Sequence, residues 1–192
     1  MEIKKPEVIN NTFVSDSPAV KISVDPRFEY LGQVEISRYP TTSDGYVFGI
    51  VKDNYVEKAV MMLYTSLTSG EHVWEHGAPP GYQHVEKGGY DWYDVYNLFT
   101  SADISKYWKT KFINGVLLKE AYIVHGLRCN TTPRSGAIFQ VMYMSSIVYD
   151  HNFYKWTDAL SKGDKNILTK EQQGELSSFG IHARDAFDIT EK

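Results

Sequence analysis

Tyr46-Val-Phe-Gly-Ile-Val-Lys-Asp-Asn-Tyr-Val-Glu-Lys-Ala-Val-Met-Met-Leu-Tyr-Thr-Ser-Leu67 is the stretch on which the fold turns. Tyr46 to Val51 is apolar, β-branched and aromatic, as a strand requires. Asp53-Asn54 follows, and both residues tolerate a positive φ, which suits a tight hairpin. The second arm, Val56 to Leu67, could pass for a helix as far as Leu63. Its β-branched and aromatic frame, and the turn just before it, favour a strand. Two long strands back to back predict an antiparallel, β-rich protein.

The pattern extends in both directions. Val20, Ile22 and Val24 alternate with polar residues, then Asp25-Pro26 interrupts. Phe28, Tyr30, Gly32, Val34 and Ile36 are expected on one face of a further strand, because side chains alternate with period two. Pro40 to Gly45 reads as a turn. Downstream, Ser101 to Trp108 could form a short helix, and Asn114-Gly115 is a strong hairpin signal. Val116–Cys129 and Ala137–Tyr149 read as strands around a turn with Pro133, so that Leu117–Arg128 and Ala137–Val148 are expected to be adjacent and antiparallel.

The C-terminal quarter changes period. Asn152 to Lys162 can make a short helix stopped by Gly163. Thr169 with Gln172 three residues on fits a capping box. Leu176, Phe179, Ala183 and Phe187 then form an apolar helical stripe. The predicted fold is mainly β (β-rich α+β): a single antiparallel curled sheet or barrel of about six to eight strands, closed by one or two C-terminal helices. Residues 1–18 are polar and are expected to be a loose arm, leaving 19–192 as a single domain.

Composition narrows the function. The chain has 192 residues, 42% of them hydrophobic and 23% charged, which is globular usage. A formal charge of −4 and a pI near 5.9 give no general attraction to nucleic acid. No apolar run approaches the roughly 18–20 residues of a membrane span. Met1 to Val8 lacks the apolar core of a signal peptide. Localisation stays open at this point: a mature exported protein of a bacterial envelope, or a cytoplasmic one if Met1 is native. The single Cys129 excludes an internal disulfide. Tyrosine is abundant, with 14 residues, which suits a β-rich core with amphipathic rings at its rim.

Candidate chemistry gathers in residues 70–96, which hold His72, His76 and His84, Trp74 and Trp92, and five glycines. His72 to His76 spells H-x-x-E-H, in which two histidines on a helix can bind zinc while Glu75 activates water. Gly70 before it and Gly77-Ala-Pro-Pro-Gly81 after it oppose a helix. On a strand the Cα atoms of His72 and His76 would stand about 13 Å apart, at about 3.3 Å per residue. A metal-dependent hydrolase using His72, Glu75, His76 and possibly His84 as ligands is therefore an alternative, and no metal or cofactor is expected. His84-Val-Glu86 matches half of a zinc-deaminase signature, but one cysteine cannot supply the rest.

Other pairings have plainer readings. His125 and Cys129 could activate a thiolate, but Cys129 reads as a small buried hydrophobe. Asp91 and Asp94 flank two rings, as in glycoside hydrolysis, yet nothing fixes their separation. Lys106 to Phe112 interleaves bases with aromatics and reads as an edge strand rather than a nucleic-acid groove. Phosphate-binding and serine-elbow motifs are absent. The expectation is a non-enzymatic binding protein that contacts a small or extended ligand, or a protein partner, through Trp74, Tyr82, Tyr90, Trp92 and Tyr93. A structural or accessory protein without a small ligand is the further alternative.

Overall fold

A computed structural model describes residues 6–68, 83–109, 112–130, 137–148, 155 and 168–192. The protein is mainly β, and its described strands form two sheets. The small sheet has the order β1 (Glu7–Ile9), β2 (Thr12–Asp16), β3 (Ala19–Val24), β13 (Phe187–Glu191). The large sheet runs β4 (Glu29–Arg38), β5 (Thr41–Lys52), β6 (Tyr55–Leu67), β12 (Ala137–Ser146), β11 (Ala121–Asn130), β8 (Tyr90–Thr100), β7 (His84–Lys87). Short strands β9 (Phe112–Ile113) and β10 (Val116–Leu118) attach at β6, where β10 makes a parallel pair. Every other pairing is antiparallel. The helices are α1 (Ser101–Tyr107) and α2 (Lys170–Asp185).

The decisive hairpin forms as its sequence predicts. Lys52 pairs with Tyr55, and Asp53 and Asn54 carry φ values of 51° and 64°. That left-handed two-residue turn matches the twist of the flanking strands. Similar turns join β7 to β8 through Gly88-Gly89 and β9 to β10 through Asn114-Gly115. β6 is a strand because it is buried on both faces. Val60 and Met62 enter one core, while Ala59, Met61 and Leu63 enter another. An unbroken apolar run cannot by period alone be told from a buried helix, and here two-sided burial explains it.

The first core lies between the small sheet, α2 and one face of the large sheet, here the α2 face. It includes Phe13, Ile22, Phe48, Trp92, Phe139 and Tyr143. The second lies on the opposite face, with Ile104 and Trp108 from α1 and its end, and Ile113 from β9. Both helices begin with a complete capping box, Thr100 with Asp103 and Thr169 with Gln172, which satisfies backbone N–H groups that have no partner in the first turn.

Several expectations are corrected. There are two sheets, not one curled sheet or barrel, and the large one is not closed: it ends at β4 and β7. The arm expected over residues 1–18 contains two strands, and Phe13 is fully buried, its ring 5.0 Å from Tyr46 and 5.9 Å from Phe139. Polar flanks hid one anchoring aromatic. The single face expected for Phe28 to Ile36 is broken by a bulge between Tyr30 and Gly32, where Gly32 has φ 126°. The extra residue turns the strand over, so Phe28 joins the first core and Leu31 and Val34 the second. Phe187 does not end a helical stripe but opens β13, which returns the chain to β3. The described part of the lysine-rich string Lys106–Phe112 is not one edge strand: Lys106 and Tyr107 end α1, Trp108 bridges Ile36 on β4, and Phe112 opens β9. The helix expected over 152–162 lies outside the described residues except Lys155, which is helical. Among the described residues, no helix is long and apolar enough to cross a membrane.

Candidate functional site

β8 and β11 pair so that Tyr96 opposes His125 and Asp94 opposes Leu127. Strand alternation places these four on the α2 face, in series with Trp92 and Cys129. At the Trp92 end the small sheet covers that face. At the Tyr96 end, among the described residues, α2 stands over it. α2 has 16 residues, yet Ala183 is its one buried side chain, and a Cβ added at Gly174 or Gly180 would meet nothing within 4 Å. The helix is therefore tied down near its C-terminus, where Ala183, Ala186 and Phe187 enter the core. A cleft of about 660 Å³ opens beneath it, between α2 and the β7–β8–β11 end of the sheet.

A ring and charge cluster forms the sheet-side wall. His125 Nε2 lies 3.2 Å from Asp94 Oδ1. An ionised carboxylate only accepts, so the imidazole donates. The Tyr96 ring stacks on His125 at 4.4 Å and 21°. Phe179, from α2, meets the imidazole edge-on at 6.5 Å and also packs 5.3 Å from Tyr143. Burial, and then the Asp94 charge, push the Tyr96 hydroxyl above its ordinary pKa, while Arg184 on α2 opposes them. Tyr96 thus keeps its proton at neutral pH. Leu127, Leu176, Ile181 and Phe187 supply apolar surface around this cluster.

A second His–Asp pair sits at the sheet edge. His84 Nδ1 is 3.0 Å from both carboxylate oxygens of Asp91. Its side chains are 46% and 69% exposed, against 11% for His125 and 23% for Asp94. Solvent screening leaves the outer pair worth about 0–1 kcal/mol. Asp91 and Asp94, three residues apart, point to opposite faces of β8 and pair with different histidines. The facing carboxylates of a glycoside hydrolase are therefore not formed by these two.

The other sequence candidates scatter. Trp92 is fully buried and donates its indole N–H to the Lys87 carbonyl oxygen at 2.9 Å. Tyr93 is 8% exposed, and Arg128 lies over its ring at 5.8 Å. The Tyr90 hydroxyl accepts from the Ala19 amide at 2.9 Å, tying the β7–β8 hairpin to the small sheet. Trp92 and Tyr93 are thus packed rings rather than a surface awaiting a ligand. Trp74 and Tyr82 lie outside the described residues, as do His72, Glu75 and His76. His84 is described and has Asp91 as its partner; among the described residues no three of His, Cys, Asp and Glu gather as metal ligands. Burial pushes the Cys129 thiol up to about 12, so it is not a thiolate nucleophile.

The Asp94–His125 pair was hidden from sequence reasoning because it spans two strands whose register no local motif announces. The signal available was indirect: Asp94 on β8 and His125 on β11 each interrupt the apolar alternation of the buried face.

Comparison of the chain with family models, curated proteins and solved structures gives no match. The chemistry of the cleft therefore carries the functional reading.

Proposed function

We propose that the protein is a non-enzymatic binding protein whose small-molecule ligand occupies the cleft between α2 and the β7–β8–β11 end of the large sheet. The observation that carries this reading is the cleft itself. About 660 Å³ of space has mainly apolar walls, and its polar groups include Asp94, Tyr96, His125 and Arg184 beside Gln83, Lys87 and Gln173. That size and lining are those of small-molecule sites generally. The stretch 70–96 keeps a part in the proposal, through different residues: Gln83, Val85, Asp94 and Tyr96 border the cleft in place of Trp92 and Tyr93.

Binding is favoured over covalent catalysis by what surrounds His125. Asp94 orients it, but no hydroxyl or thiol among the described residues hydrogen-bonds to it. Ser177, across the cleft, donates instead to the Gln173 carbonyl oxygen at 2.8 Å within its own helix. Cys129 is buried and protonated. A nucleophile–base pair is the minimum that such catalysis needs.

A fragment screen read by amide chemical shifts tests the proposal. Hits are expected to perturb β8, β11 and the α2 residues from Gln173 to Arg184 together, and His125→Leu should remove them. Hits that cluster elsewhere, or that ignore His125→Leu, overturn the reading.

A further inference from the structure

The charges that face the cleft are unequally matched. Asp94 has the His125 imidazole at 3.2 Å, and Lys87 has Asp188 at 3.1 Å. Arg184, in the last turn of α2, lines the same space and makes no hydrogen bond or ion pair with the described residues. The Tyr96 hydroxyl, near enough to sense the Arg184 charge, also makes no hydrogen bond with them. Both are donors: a guanidinium cannot lose its proton in a protein, and this phenol retains its own. Two donors, one of them cationic, thus border a space whose wall is otherwise apolar at Leu127, Leu176, Ile181 and Phe187 and polar at Gln83, Lys87, Asp94, His125 and Gln173. A carboxylate accepts from such a pair with charge-assisted bonds, and guanidinium geometry suits it.

We propose that the cleft takes an amphiphilic monocarboxylate, held at its anionic end by Arg184 and the Tyr96 hydroxyl, with its apolar body along Leu127, Leu176, Ile181 and Phe187. This deepens the binding reading above and rests on it. A cationic ligand fits less well, because the one carboxylate on the sheet wall is already engaged by His125. A purely apolar ligand would leave the half-buried Tyr96 hydroxyl without a partner, which costs affinity, and would gain nothing from the exposed Arg184 guanidinium. Arg184 also has a plainer role, since a cation in the last turn of a helix complements its dipole. That role affects the stability of α2 and is indifferent to the charge of a bound molecule.

Three probes of equal chain length separate these possibilities: octanoate, octanamide and octylammonium, titrated into the intact protein and followed by amide shifts and calorimetry. Octanoate is expected to bind about tenfold more tightly than octanamide, the scale of one charge-assisted hydrogen bond, and octylammonium most weakly. In Arg184→Gln the preference for octanoate should vanish while octanamide binding is retained; Tyr96→Phe should reduce it in part. Octanamide binding as tightly as octanoate, or octylammonium binding tightest, overturns the carboxylate assignment and leaves the cleft as a binding site. If none of the three perturbs the cleft, the binding reading falls as well. An Arg184→Gln variant that loses stability yet keeps its preference assigns Arg184 to the helix dipole alone.

Discussion

The α2 face of the large sheet behaves differently at its two ends, although the same strands build both. Around Trp92 and Phe139 the face is sealed: the small sheet lies over it, and Phe13 stacks on Phe139 at an interplanar angle of 11°. Around Tyr96 and His125 a helix with a single buried side chain stands in place of a sheet, and a cleft remains. Polar groups follow the difference. The sealed end holds rings and a neutral thiol, whereas the open end holds a His–Asp pair and an arginine. A covering sheet excludes water from a whole patch. A helix anchored by one turn covers a stripe and leaves room beneath the rest.

That contrast breaks most decisively at Trp92. Trp92→Ala should cost about 3–5 kcal/mol, because it removes a fully buried indole and leaves a cavity. Urea unfolding measures it; a loss under about 1 kcal/mol would show that the end is not sealed. Tyr122 gives a similar test on the opposite face. Its hydroxyl donates to the Val56 carbonyl oxygen at 2.7 Å and accepts from the Lys119 amide at 2.8 Å. Tyr122→Phe should cost about 1–3 kcal/mol by leaving buried groups without partners. An unchanged denaturation midpoint would mean that water reaches them.

The buried thiol sharpens the contrast through pH. Cys129 rises from 9.0 to about 12 on folding, chiefly by desolvation. A raised native value means that the folded state holds the proton longer than the unfolded one. The associated stability is complete below the unfolded value and is lost as pH climbs from about 9 towards 12. Cys129→Ala should flatten that part of the stability–pH curve; an unaltered slope would show the thiol to be solvated. The smallest effect belongs to the open end. Leu176→Gln, on the cleft side of α2, should stay within about 0.5 kcal/mol of the parent in thermal unfolding. A larger loss would indicate that α2 is packed after all.

The strands of the large sheet were the most legible part of the chain. Asp53-Asn54 and Asn114-Gly115 announce their turns through residues that accept positive φ, and Ala59 to Leu63 could only be a doubly buried strand once paired. The small sheet was largely illegible. Phe13 is a lone aromatic in a polar lead-in, and β13 follows a helix with no intervening break, so a helical period runs on into Phe187. The bulge at Leu31-Gly32 inverted a face that simple alternation had fixed. For the site, Asp94 and His125 were each visible, but a pair across two strands exists only once the register is known. Trp92 and Tyr93 misled because a ring in a glycine-rich stretch reads as exposed, whereas Gly88-Gly89 here merely turn a hairpin that drives those rings inward.

The pairing of β13 with β3 has a kinetic consequence. Of the described strands, β3 is among the first to leave the ribosome and β13 is the last, yet Ile22 and Ile189 lie side by side. Loop-closure entropy makes such a remote contact slow to form and late in the folding order. Until then Val20, Ile22 and Val24 can gain no cover from β13, and the edge of β3 that β13 will occupy stays unpaired. An unpaired strand edge of this kind is a template for wrong association. The small sheet is thus the part of the protein whose completion must wait for the whole described chain, and the interval before β13 arrives is when aggregation competes with folding.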